Sequence, residues 1–171
     1  KTNSIGTVGL IPPTDIITKS EDLRTIDGIK IEFLLVPGTE APAEMIMYFP
    51  QFKLLNTAED ATHTLHNLYT LRGAQVRDAA KWWKAIDTML NSYGDKTEVV
   101  IAQHHWPKWG TDNIKQYLAK QRDGYKYIHD QTLNLANKGY TMNEIAEIIT
   151  MPEALEKEWS LRGYYGSVNH D

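Results

Sequence analysis

Apolar residues alternate through the first third of the chain and then change to a spacing of three and four. Up to about residue 56, short β-prone runs are punctuated by turn residues. Ile5–Leu10 ends at Pro12-Pro13, and Asp15–Thr18 is a second short piece. Leu23–Ile26 and Ile29–Val36 flank Asp27-Gly28, a pair that marks a tight hairpin turn when alternating apolar residues surround it. Pro37-Gly38 ends the second of these strands, and Met45–Phe49 and Phe52–Leu55 continue the series. Leu65, Leu68, Tyr69 and Leu71-Arg72-Gly73 predict a short turn or helix stopping at the glycine. From Val76 through Ala79, Ala80, Trp83, Ile86, Leu90 and Tyr93 one apolar face recurs, which predicts a helix ended by Gly94. Val99–Ala102 is a continuous apolar run that suits a buried strand. Asp112–Asn137 predicts a long amphipathic helix with Ile114, Leu118, Tyr125, Ile128, Leu133 and Leu135 on one side, closed by Gly139. Thr141 with Glu144 forms a capping-box pattern for a helix over Met142–Ile149, and Pro152 opens a last helix through Leu161. Strands first, then helices around one more strand, make an α/β layered fold with a helical extension.

Composition narrows the function classes. Eighteen Lys and Arg against 22 Asp and Glu give a formal charge of −4, which argues against a nonspecific polyanion binder. With no cysteine, disulfides, thiolate metal sites and cysteine nucleophiles are all excluded. No apolar run approaches the roughly 20 residues that span a bilayer. Lys138–Ile149 resembles the first helix of a helix-turn-helix, but the acidic stretch from Glu153 to Glu158 that follows would be repelled by phosphates, so no nucleic-acid partner is expected.

Candidate chemistry gathers at strand ends. Gly38–Glu44 and Asn56–Asp60 each place carboxylates directly after a strand, and His104-His105 follow another. Rigid strand ends can bring carboxylate and imidazole together on a cation, although solvated loop acids are the commoner case. His63 and His66 at i, i+3 would share a helix face and are a second candidate pair. Asn67 and Arg72 offer an amide and a donor fork suited to a tetrahedral oxyanion. Trp106 and Trp109 flank Pro107 close to His104 and are candidates for an apolar pocket wall, against core packing.

Four segments together resemble the bacterial alkylsulfatases, binuclear zinc hydrolases of the metallo-β-lactamase superfamily: Pro37–Met45, Ala58–Leu68, Leu71–Ala74 and Gln103–Gly110. Gln121–Asp123, His129–Leu133 and Arg162–Gly166 resemble the continuation of that family. The resemblance implies part of an αββα sandwich over residues 1–137, the C-terminal half of the catalytic domain, with 138–171 beginning a helical dimerisation domain. It implies Glu40 as a ligand of one zinc, Glu59 as the carboxylate between two Zn2+ ions and so the holder of the water-activating pair, and His104 as a ligand of the second. Asn67 and Arg72 match the residues that hold the sulfate group of an alkyl sulfate ester such as dodecyl sulfate. His63, His66, His105 and Asp60 are then supporting or packing residues. A homodimer through the helical region is implied, while cytoplasm, periplasm and exterior all stay open. A phosphoester or lactam hydrolase of the same superfamily, or a non-catalytic dimerisation module, is the alternative reading.

The family's remaining ligands come from a His-x-His-x-Asp-His motif, and no such spacing occurs in this chain. The resemblance therefore implies a middle segment of a longer enzyme. With three of the required ligands, the chain on its own is expected to bind zinc weakly and to show no turnover of dodecyl sulfate; a detergent-hydrolysis assay giving substantial rates from these 171 residues would overturn that expectation.

Overall fold

The computed structural model describes residues 6–7, 9–70 and 72–171. Six strands form one sheet in chain order: β1 (Asp22–Ile26), β2 (Ile29–Leu35), β3 (Met45–Phe49), β4 (Leu54–Asn56), β5 (Val99–Ile101) and β6 (Lys108–Trp109). All neighbours pair antiparallel except β4 and β5, which run parallel because helix α1 (Ala79–Tyr93) crosses between them. Asp27 and Gly28 take φ of 49° and 81°, so the Asp-Gly pair makes the mirror-image turn that matches strand twist. Ile46, Tyr48, Leu55 and Val100 point into a core shared with Trp82, Ile86 and Met89 of α1. Helix α2 (Thr111–Asn137) adds Ile114, Leu118, Tyr125 and Ile128, and two short helices follow, α3 (Met142–Ile148) and α4 (Glu153–Glu156).

Several expectations need correction. Asp15–Thr18 is irregular, and so are Gly6, Thr7, Gly9 and Leu10 of the expected first strand, whose Ile5 and Val8 lie outside the described residues. Helix α1 begins at Ala79 because the Asp78 carboxylate accepts from the Lys81 N–H at 3.0 Å, leaving Val76 outside and exposed. Gly94 ends the helix as expected, staying right-handed and passing into a 3-10 turn over Gly94–Lys96. Leu133 is 51% exposed, because the last turns of α2 run past the core. The capping box at Thr141 and Glu144 forms as expected. The helix expected from Pro152 to Leu161 is broken into α4 and a 3-10 turn over Trp159–Leu161. That break seats Leu161 over Gly124, where a Cβ would lie 2.6 Å from a leucine methyl, and Gln121 donates to the Ser160 carbonyl. Strand β6 has two residues and carries no periodicity to detect. Trp106 and Trp109 are 57% and 65% exposed and belong to no core, whereas Trp82 is fully buried.

The largest difference concerns the segment from Thr57 to Thr70. It is neither helix nor strand, yet all its residues except Glu59 and Tyr69 are buried. Its peptide groups therefore need partners from elsewhere. Trp82 Nε1 donates to the Asp60 carbonyl at 2.7 Å. Tyr125 Oη accepts from the His66 N–H at 3.0 Å and donates to the His66 carbonyl. Arg162 donates to the His63 carbonyl at 2.6 Å, and Leu68 N–H reaches Asp171 Oδ1 at 3.0 Å. The C-terminal stretch lies along this segment: Leu65 N–H donates to the Arg162 carbonyl, and Gly166 N–H to the Leu65 carbonyl, each at 3.0 Å.

Two predictions follow from this packing. A Cβ on Gly166 would stand 2.6 Å from the Asn67 nitrogen and 2.7 Å from its Cα, so only glycine fits there. Gly166→Ala should destabilise the protein by about 1–3 kcal/mol, seen as a lower urea midpoint; an unchanged midpoint would mean the C-terminal stretch does not dock as described. His63, packed against His105, Trp106 and Tyr117, is pushed down to about 4, chiefly by burial, with Lys108 adding. The unfolded chain binds that proton more readily, so stability is full above the unfolded value of 6.5 and is lost as pH falls toward 4. The melting advantage of the wild type over His63→Gln should accordingly shrink by a few degrees between about pH 7 and about pH 4.5. A constant difference would sink this assignment.

Candidate metal and oxyanion site

Three loops at one end of the sheet build the site. Glu40 sits in the β2–β3 connection, where Gly38 (φ 79°) turns the chain and Thr39 Oγ1 donates to the Val36 carbonyl at 2.7 Å. Glu59 follows β4, after Ala58 at φ 49°, and His104 follows β5. Ligand-type atoms of Glu40, Glu59 and His66 lie within 4.8 Å of one another. His104 Nδ1 contacts Glu59 Oε1, and its ring is mostly exposed. Glu59 thus touches an imidazole from each side. His105 departs from its neighbour: at φ 71° its ring turns toward Thr64 Oγ1, 3.5 Å away, and toward His63.

His66 has no helix beneath it and shares no face with His63. Its Nδ1–H donates to the Asn67 carbonyl at 2.9 Å, which leaves Nε2 as the bare nitrogen. That nitrogen is buried, has no hydrogen-bond partner among the described residues, and lies 3.4 Å from Glu59 Oε2. Burial lowers the affinity of the ring for a second proton. A lone pair aimed at carboxylate oxygens is repulsive unless a cation lies among them, so this donor set fits a divalent metal. The spacing with His63 offered His66 as a candidate and the resemblance set it aside as a supporting residue; the fold carries its ring to Glu40 and Glu59.

The surrounding acids are held in unusual states. Glu44 is raised to about 7, mainly by burial, with repulsion from Glu40 and Glu59 adding. Asp60 is pushed well above the usual carboxylate range by complete burial, against the hydrogen bond from the Glu40 N–H. Asp60 so supports the loop that carries Glu40.

Asn67 and Arg72 meet at one residue. Asn67 Nδ2 donates to the Tyr165 carbonyl at 3.3 Å, and Arg72 Nη1 donates to Tyr165 Oη at 3.2 Å. Asn67 is buried and Arg72 exposed, so the amide is fixed while the guanidinium can swing. Tyr165 was part of the sequence resemblance but had no assigned role. Its ring packs edge-on against His66, 5.0 Å between centroids. A cleft of about 430 Å3 lies here, walled by Glu59, Thr64, His66, His104 and Tyr165. A second, of about 700 Å3, is walled by Glu40 and Arg72 with the apolar Pro37, Pro42, Ala74 and Val76. Neither borders Trp106 or Trp109.

The comparisons agree in direction. Residues 141–171 match the family described as alkyl sulfatase dimerisation. An alkyl/aryl-sulfatase of Saccharomyces cerevisiae is 56% identical over all of this chain and 26% of its own length. The solved structure of a stereoselective inverting sec-alkylsulfatase from Pseudomonas sp. superposes with a TM-score of 0.92 at 48% identity, covering 94% of this chain and 26% of that one. A metallo-beta-lactamase family protein of Thermus thermophilus, 12% identical with a TM-score of 0.53 over 87% of this chain and 46% of its own, shares the fold alone. The chain is homologous along its whole length to alkylsulfatases, and it spans about a quarter of the length of the relatives it matches.

Proposed function

We propose that this chain supplies part of the active site of a zinc-dependent alkylsulfatase, which cleaves an alkyl sulfate ester with water to an alcohol and inorganic sulfate. The observation that carries the reading is the meeting, in one place, of an acceptor cluster with oxyanion donors. Glu40, Glu59 and His66 converge within 4.8 Å, and Asn67 and Arg72 stand beside them around Tyr165. Glu40, Glu59 and His104, with His66 beside them, would hold two zinc ions together with ligands from outside this chain. A pair of divalent ions, when bound, lowers the pKa of a water so that hydroxide is available near neutral pH.

The chain's own groups do the rest of the work. Arg72 offsets charge on the sulfate and, being exposed, can follow the ester as it enters. Asn67, fixed by burial, donates a neutral hydrogen bond that orients the same group. Glu44 and Asp60, disfavoured as anions, keep the negative charge beside the metal to Glu40 and Glu59. The apolar walls of the larger cleft beside Arg72 suit the alkyl part of the ester. Residues 138–171 are read as the start of a helical dimerisation region, which the family match over 141–171 supports, and the partner is a second copy of the same protein. No helix among the described residues is long and apolar enough to cross a membrane.

The intact protein should contain about two zinc ions per chain and release sulfate from dodecyl sulfate. Glu59→Gln should lower both its zinc content and its turnover, the latter on the order of 100-fold. Turnover that persists after chelation has removed the metal would rule the reading out.

A further inference from the structure

Arg77 has no role in any reading above, yet it is the most fully engaged side chain around the site. It lies in the loop before α1, and its own N–H donates to the Leu68 carbonyl at 2.9 Å. Its side chain is 8% exposed. Nε donates to the Glu40 carbonyl at 2.6 Å, and Nη2 pairs with Glu40 Oε1. Nη1 donates to Asn67 Oδ1 at 2.5 Å and to the Asn67 carbonyl at 3.2 Å. One planar fork therefore grips the backbone and the side chain of two residues that come from different loops.

The consequence for Asn67 is directional. A guanidinium only donates, so the amide facing it must present its oxygen. The NH2 group is thereby turned the opposite way, where it donates to the Tyr165 carbonyl, while Arg72 reaches the hydroxyl of the same residue. Glu40 is constrained at the same time, with one carboxylate oxygen in the fork and the other outside it. We propose that Arg77 is a positioning residue that couples the two halves of the site, holding Glu40 for the metal and turning the Asn67 amide toward the oxyanion. The inference rests on the proposed roles of Glu40 and Asn67. Lysine does not replace it, because an ammonium is a point charge that cannot span four acceptors in a plane.

The test uses the intact protein and Arg77→Lys, which keeps the charge beside Glu40. Zinc affinity is measured by competition with a chromogenic chelator, and sulfate affinity by calorimetry on the zinc-loaded protein. Arg77→Lys should weaken both by roughly 10-fold or more. In contrast, Glu40→Gln should weaken zinc, and Asn67→Ala should weaken sulfate with zinc unchanged. A merely structural Arg77 would lower the melting midpoint while the folded variant bound zinc and sulfate as the wild type does, and that result overturns the proposal. Should Glu40→Gln and Asn67→Ala leave both affinities untouched, the reading of the site fails and the inference falls with it. If Arg77→Lys does not fold, the wild type decides. Its Arg77 Nε–H resonance should shift on adding zinc and again on adding sulfate, and a resonance that responds to neither ends the proposal.

Discussion

The segment from Thr57 to Thr70 is buried without a hydrogen-bond ladder of its own, and the rest of the structure is arranged to satisfy it. Irregular chain normally stays at the surface because water completes its peptide groups. Here Trp82 from α1, Tyr125 from α2, Arg77 from the loop before α1 and Arg162, Gly166 and Asp171 from the C-terminal stretch do so instead. These partners explain several otherwise separate features. Trp82 and Tyr125 stack at 4.8 Å between ring centroids because both must reach the same loop from adjacent helices. The C-terminal stretch lacks regular structure because it follows the contour of the loop.

The same burial concentrates acid. Glu40, Glu44, Glu59 and Asp60 share a small region of low solvent access, where unpaired anions repel each other strongly. Two devices relieve this: Arg77 neutralises one carboxylate directly, and Glu44 and Asp60 are biased toward their protonated forms. The bare nitrogen of His66 faces what remains and adds a lone pair to it. The residual charge sits where carboxylate and imidazole atoms converge, which is the condition a divalent cation meets. Placing an oxyanion beside this centre needs donors whose directions are already set, and a buried amide held by a buried guanidinium supplies one.

Much of the architecture was legible in the chain. The hairpin at Asp27-Gly28, the crossing helix, the strand at Val99–Ile101 and the long helix from Thr111 each rest on local signals: turn chemistry, period and caps that act over a few residues. The roles of Glu59, His104, Asn67 and Arg72 came from the family resemblance; the fold sets His104 against Glu59 and brings Asn67 and Arg72 to the carbonyl and the hydroxyl of Tyr165. The positions that local signals misplaced are of another kind. Leu65, Leu68 and Tyr69 carry the spacing of a short turn or helix, and His63 and His66 that of a shared helix face, yet the fold makes this segment neither helix nor strand.

What the sequence alone determined, then, is the order and type of the elements and the identity of the chemical groups, because those depend on neighbours in the chain. What the tertiary structure decided is which of those groups meet. His66 reaches Tyr125 across 59 positions, Leu68 reaches Asp171 across 103, and Arg77 joins Glu40 and Asn67 from a third loop. No local period encodes such pairings. They exist because a buried polar segment must find its hydrogen bonds wherever the fold brings donors and acceptors within about 3 Å.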